Sequence, residues 1–398
     1  MATASTAQNS GSSQPNLNQM NAAARSAILA QASNMIQNIY STQITGTVNS
    51  STNTINFQPR MVGLLKRFFI EVQGTITNTG STANYISRTP FAGSNLLSNI
   101  VLTDLSNNVR INTTGWHLHT LATAKRGYPF GASLISGTGT DSQFGYGSNF
   151  AVFNAPTQIP KTTGNTAIVK WVFEVPVAYS DTDLRGSIYL GTTGQTMNVQ
   201  LTINPNAVVS SGDATGAVYS GDTGTLSNVT INVYQHYLDQ LPWGKTGPVL
   251  PIIDMSVLYM LNNTVNYGVV VNQDFPVPYA NFRDFLSTIA LFNNANGTYA
   301  AGTDVSYWAL TAANFTNFFK VDPYMVALWS RNRMRVDQPA GMYYFDHRHR
   351  PISTNQYGNM ELVLNASTVN SGATVTTAYE MFALVNLIGQ AGSLNLGT

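Results

Sequence analysis

Two histidines set two residues apart, His117 and His119, are the residues of this chain best placed to do chemistry. They lie in the segment TGWHLHTLATAKRGYPF, Thr114 to Phe130. On a β-strand this spacing would turn both imidazoles to one face. Two neutral imidazoles converging from one strand are half of a transition-metal site, so the pair is a candidate metal ligand set. The competing reading makes both histidines structural, hydrogen-bonded in a strand or at an interface.

The metal reading needs further ligands. A jelly-roll metalloenzyme of the cupin type would place a Glu shortly after the pair, whereas Thr120-Leu121-Ala122-Thr123-Ala124 follows here. A second His-X-His, His347 and His349, falls at an unrelated place in the chain. Other motifs fare no better. Trp243-Gly244-Lys245-Thr246 ends like a phosphate-binding loop, but Asp239 stands where its first glycine should be, and Pro242 and Pro248 bar the helix that would follow. There is no G-x-S-x-G elbow. Asp181 and Asp183 read as turn chemistry rather than an acid/base pair. With no cysteine in the chain, disulfides, thiolate metal sites and cysteine nucleophiles are excluded. No catalytic residue and no cofactor are expected.

The basic residues fall in two groups. Arg25, Arg60, Lys66 and Arg67 all precede the first acid, Glu71, so the N-terminal region is positive and could lie on anionic lipid; the alternative is a helix packed under a barrel, in a chain where acids are scarce throughout. Arg331, Arg333, Arg335, Arg348 and Arg350 cluster late in the chain. A net charge of +1 and the lack of an aromatic-interleaved basic stripe argue against direct nucleic-acid binding. Pairing with carboxylates across an interface is the better use for them, and Trp116 is a further interface candidate.

The elements that must position these groups are mostly strands. Residues 1–15 are small and polar, and Pro15 opens a helix expected to run to about Tyr40, with Leu17, Met20, Ala24, Ile28, Met35 and Ile39 at helical spacing. From Ile44 onward, short β segments alternate with Gly, Asn, Thr and Pro; Phe68–Ile76, Ile168–Val177, Met197–Ile203, Val229–Tyr237, Phe285–Phe292 and Met360–Leu364 are examples. The segments 131–149 and 204–228 read as loops. Asp322-Pro323 starts a second helix, ending near Arg335. A weak internal repeat relates Asn95–Ile100 to Asp284–Ile289, Asp181 and Arg185 to Asp346 and Arg350, and the strand ending at Asn204 to the strand ending at Asn365. Two copies of one antiparallel unit follow, in sandwiches or jelly-roll barrels. The expected division is 1–43 as an arm, 44–242 as the first barrel and 243–398 as the second. Charged residues are only 9% of the chain, against about 25% in ordinary soluble proteins, which leaves little repulsion between copies. No secretory signal or membrane-spanning run is visible.

Several blocks, taken in order along the chain, resemble the major capsid proteins of tectiviruses, tailless phages with an internal membrane. They are GWHLH with TAKRG and Pro129-Phe130; VPVAYSDTDLRG, Val175 to Gly186; YQHYLDQLP, Tyr234 to Pro242; LPIIDMSVLYML, Leu250 to Leu261; YANFRDFLSTIALF, Tyr279 to Phe292; GTDVSY, Gly302 to Tyr307; and DHRHRPISTNQYGN, Asp346 to Asn359. The resemblance implies an all-β double jelly roll, two eight-stranded barrels side by side with an N-terminal helical arm and a few short helices in loops. It also implies a non-enzymatic shell protein. Such a protein forms homotrimers of pseudo-hexagonal outline that pack against neighbouring trimers. Its arm touches the internal membrane, and penton and minor or cementing proteins complete the lattice. The expected location is the virion outer shell, after assembly from the host cytoplasm. A cupin-like metalloprotein and a monomeric adhesin or receptor-binding domain are the alternatives.

Overall fold

The structure is a computed structural model and describes residues 17–127, 153–248 and 257–383, apart from residues 52, 82, 162–164, 192–194, 211–215, 245–246, 267–270, 282, 295–299, 301, 313–315, 336, 350, 358 and 369–372. Arg350, the polar residues 1–15, the loop at 131–149, Pro129-Phe130 and the Lys245-Thr246 pair lie outside the described residues.

Eight main strands build the two facing sheets of the first unit, beside several short ones: β1 (Ser33–Thr47), β2 (Thr54–Phe57), β3 (Leu64–Asn78), β4 (Leu97–Thr103), β5 (Val109–Thr113), β6 (Thr166–Pro176), β7 (Asn198–Ile203) and β8 (Gly224–Asp239). Eight more build the second: β9 (Val257–Asn266), β10 (Asp274–Pro278), β11 (Arg283–Asn293), β12 (Val305–Ala312), β13 (Thr316–Val321), β14 (Met342–Asp346), β15 (Met360–Ala366) and β16 (Thr374–Ala383). In the first unit the strands pair in the orders β1-β8-β3-β6 and β2-β7-β4-β5. In the second the orders are β9-β16-β11-β14 and β10-β15-β12-β13. Adding eight to every number of the first unit gives the second, so each unit is the same jelly roll. The alternation of each strand sends one row of side chains into a sandwich core. On β3, Phe68, Ile70, Val72 and Ile76 point inward with Trp171, Phe173 and Val175 of β6. Trp308, Phe285, Phe292, Tyr343 and Phe345 fill the second core.

The expected closed barrels are not what forms. The two sheets of each unit remain separate, and the edge strand β5 pairs instead with β9 of the other unit, in parallel, through Ile111↔Met260 and Asn112↔Leu261. One sheet therefore runs continuously from the first jelly roll into the second. This leaves fewer free edges for unwanted pairing.

Helices account for the remaining packing. The first, α1 (Leu17–Gln31), ends well before Tyr40. Met35 and Ile39 belong to β1, which pairs antiparallel with β8 from Ser33↔Asp239 to Thr47↔Ser227. Ile28 of α1 is buried against Leu64, Leu184 and Leu238, so this part of the arm is docked on the first unit. Each unit also carries a helix after its fifth strand: α2 (Gly115–Arg126) and α3 (Pro323–Met334). Between the units lies a separate apolar cluster. Phe91, Trp116 and Ala124 of the first unit meet Ile289, Leu291, Met334, Met342, Tyr344 and Ala378 of the second.

Candidate assembly interface

His117 and His119 sit on α2, not on a strand. The segment contains Leu, Ala, Lys and Arg, which lose little in a helix. Thr114 precedes it, and Gly127 closes it in the left-handed conformation at φ 70°. Two residues apart on a helix do not share a face, so the converging pair dissolves. His117 Nδ1 meets the Thr113 hydroxyl, and the His119 ring lies 5.2 Å from that of Trp171. Burial pushes His117 down to about 3, helped by the nearby Lys125 ammonium, and burial alone takes His119 to about 4. His236 is likewise held at about 4, by burial and by Lys66 and Arg67, and burial brings His347 to about 4. Among the described residues, no three His, Cys, Asp or Glu side chains come together in a way that could hold a metal ion.

The first basic group does not form a free positive arm. Lys66 and Arg67 are on β3, with the Lys66 side chain only 4% exposed. Lys66 Nζ lies 2.9 Å from Asp181. Arg67 is paired with both Glu174 and Asp181, and Arg126 of α2 also reaches Glu174. Lys66 and Arg67 are therefore buried, ion-paired residues of the first unit rather than part of the arm. Arg25 stays on α1, 3.5 Å from Asp183. Arg60 is exposed, with its guanidinium 2.6 Å from Gln37.

The second group is partly sequestered too. Arg348 holds Asp346 with its backbone N–H at 3.1 Å and its guanidinium at 2.8 Å, and donates to the Ala124 carbonyl of α2 at 3.3 Å. Arg333 Nε stands 3.1 Å from Asp346 Oδ2, the oxygen that Arg348 Nη2 also reaches. Burial opposes ionisation of Asp346, but the hydrogen bonds and charge of Arg348 and Arg333 hold its carboxyl below the usual range. In the first unit Arg185 grips Asp183 in the same Asp-X-Arg manner, at 2.7–3.2 Å, with Arg25 as the additional cation. The related pairs are thus Asp183–Arg185 and Asp346–Arg348, two residues away from the pairing the sequence suggested at Asp181 and Arg350. Arg331 is exposed and 3.2 Å from Asp337. Arg335 is the exposed left-handed residue that ends α3. Trp116 is buried against Phe91 at 5.5 Å, in the contact between the two units.

The sequence reading missed the outer face of α3. Tyr324, Met325, Leu328 and Trp329 are 66%, 40%, 50% and 41% exposed, a large apolar stripe on one helix. Val326, Ser330 and Met334 already supply the buried side. A helix with more apolar residues than one buried face requires was the available signal.

The double jelly-roll fold is shared with solved structures of viral capsid proteins. The major capsid protein of Sulfolobus turreted icosahedral virus aligns with a TM-score of 0.63 at 13% identity, over 90% of this chain and 99% of that one. The capsid of PBCV-1 aligns with a TM-score of 0.54 at 10% identity, over 88% of this chain and 94% of that one. The family described as P3 major capsid protein, N-terminal, matches residues 3–241, and its C-terminal counterpart matches residues 256–395. Major capsid protein P3 of Enterobacteria phage PRD1 is 37% identical over 382 residues, 94% of each chain. The chain belongs to the P3 major capsid protein family and is a virion shell protein that associates with itself.

Proposed function

We propose that the chain forms homotrimers of pseudo-hexagonal outline that tile the outer shell of a tailless, membrane-containing phage, and that it does so without catalysing a reaction. The observation that carries this reading is the repeated strand order of the two units. Two like lobes per chain give three chains six like lobes, which is what a hexagonal lattice site requires. The scarcity of charge suits close packing of copies, since a net charge of +1 does not hold them apart. The division at 43 and 242 is kept as a working boundary, with part of β1 on the arm side of it.

In this reading the N-terminal arm faces the internal membrane, penton and minor or cementing proteins fill the remaining lattice contacts, and the chains assemble in the host cytoplasm. Residues 1–31 carry Arg25 and no acid, and this supports the inward placement of the arm. Light scattering of the purified native protein tests the oligomer: a mass of three chains is expected, and a monomer mass would sink it. Flotation with anionic vesicles tests the arm. Removal of residues 1–31 should abolish co-flotation and leave the trimer intact, and unchanged binding would overturn the membrane role.

A further inference from the structure

We propose that the outer face of α3 docks on the β8-β3-β6 sheet of a second copy, repeating between chains the contact that α2 makes within one. The inference rests on the ring reading above and names the surfaces that would close the ring.

The two helices correspond residue by residue. Both have twelve residues, follow the fifth strand of their unit, and end on a left-handed residue, Gly127 at φ 70° and Arg335 at φ 60°. Leu118 and Val326, fourth in each helix, are both buried. In α2 the positions that face the other unit are Trp116, 6% exposed, and Thr120, 4% exposed with its hydroxyl 3.9 Å from Met342 Sδ. The same positions in α3 are Tyr324 and Leu328, 66% and 50% exposed. The second helix therefore presents, uncovered, the face that its twin has covered.

The receiving surface can be placed in the same way. Two backbone hydrogen bonds set the register: His347 N–H to the Leu286 carbonyl at 2.8 Å in the second unit, and Val177 N–H to the Lys66 carbonyl at 2.9 Å in the first. In the second unit α2 rests near Ile289, Met342 and Ala378. With Ile289 opposite both Tyr344 and Ala378, and Phe69 opposite both Glu174 and Tyr234, the matching first-unit residues are Phe69, Val172 and Tyr234. All three are half-buried on the outward side of their sheet. A contact from the second unit of one copy to the first unit of the next is heterologous, and such contacts generate rings when the rotation closes. The partner is a second copy because its own fold already contains the mating contact, and because so weakly charged a surface offers little repulsion to it.

The test uses the full chain. Leu328→Arg places a charge at the centre of the stripe. Half-exposed as this residue is, the variant should melt like the parent, while its trimer dissociates about 100-fold more readily in sedimentation or light scattering. A folded variant that remains as firmly trimeric as the parent would overturn the docking while leaving the ring reading in place. A parent that is itself monomeric would remove the ring reading. The cysteine-free background permits a second measurement. The Leu328→Cys, Val172→Cys double variant, treated with a short bismaleimide, should give covalent dimers and trimers on denaturing gels, and neither single variant should. No covalent product from the double variant, or dimers from Leu328→Cys alone, would exclude the proposed head-to-tail contact.

Discussion

Arg348 closes on the carboxylate of Asp346, two residues back, with Nε and Nη2 each 2.8 Å from a different oxygen. The same guanidinium reaches the Ala124 carbonyl of α2, so one side chain both fixes a turn and ties the two jelly rolls together. With its side chain only 6% exposed, little water competes for these bonds. Replacing Arg348 with Ala should cost roughly 3 kcal/mol, because Asp346 would keep its charge in a half-buried site with only Arg333 to balance it. Arg185→Ala, at a side chain 34% exposed, should cost about 1 kcal/mol or less. Denaturant unfolding of the two variants checks the ordering.

Acid should weaken the fold through its histidines. His117, His119, His236 and His347 have folded values depressed from 6.5 to about 3 or 4. Near and below pH 6.5 the unfolded chain takes up protons that the folded chain refuses. The stability contributed by the neutral imidazoles is therefore complete above pH 6.5 and is lost as pH falls toward 4. The slope is about 1.4 kcal/mol per pH unit for each fully titrating histidine. Melting temperatures should fall steadily from pH 7 to 4, and His117→Asn should flatten that fall.

The helix ends make opposite predictions. Arg335 holds φ 60° with a side chain, a conformation that costs roughly 1 kcal/mol outside glycine, whereas Gly127 holds φ 70° without that cost. Arg335→Gly should stabilise the protein by up to about 1 kcal/mol, and Gly127→Ala should destabilise it by a similar amount. Thermal denaturation distinguishes the two signs.

Truncation should be sensitive to a few residues. Removing residues 1–31 takes away α1 and leaves β1 whole, whereas removing 1–40 also deletes the start of β1 and uncovers the β8 edge from Asp239 to Val233. The shorter deletion should yield soluble protein that loses the α1 helical signal and keeps the parental β-sheet signal. The longer one should aggregate, through the unpaired edge it creates. Circular dichroism and size-exclusion profiles compare them directly.

The β-rich character, the duplication and the second helix were legible in the sequence because alternating strands and an Asp-Pro start leave local marks. The extent of the first helix was not. Residues four apart share a face in a helix and in a strand alike, so Met35 and Ile39 extend either pattern. The histidine segment failed for a related reason, since a His-X-His spacing carries no period of its own. The repeat was half right. The strands around Asn204 and Asn365, β7 and β15, do occupy equivalent places, and so do the Asp-X-Arg turns. Asn95–Ile100 and Asp284–Ile289 do not, because the former leads into the fourth strand of its unit and the latter lies on the third. Similar letters on different strands reflect a shared demand for apolar alternation rather than shared position. The surplus of apolar residues on α3 was legible, but which of them lie uncovered was not, because that depends on tertiary packing, and composition does not report it.

The pairing of β5 with β9 has a mechanical consequence. Where two lobes meet only through side chains, they can rock about a hinge, and a load on one reaches the other slowly. Here backbone hydrogen bonds cross the boundary, reinforced by the Arg348 tie, so each chain should bend as a single plate. Under outward pressure from packed contents, deformation would be directed to the seams between chains rather than to the interior of any one of them.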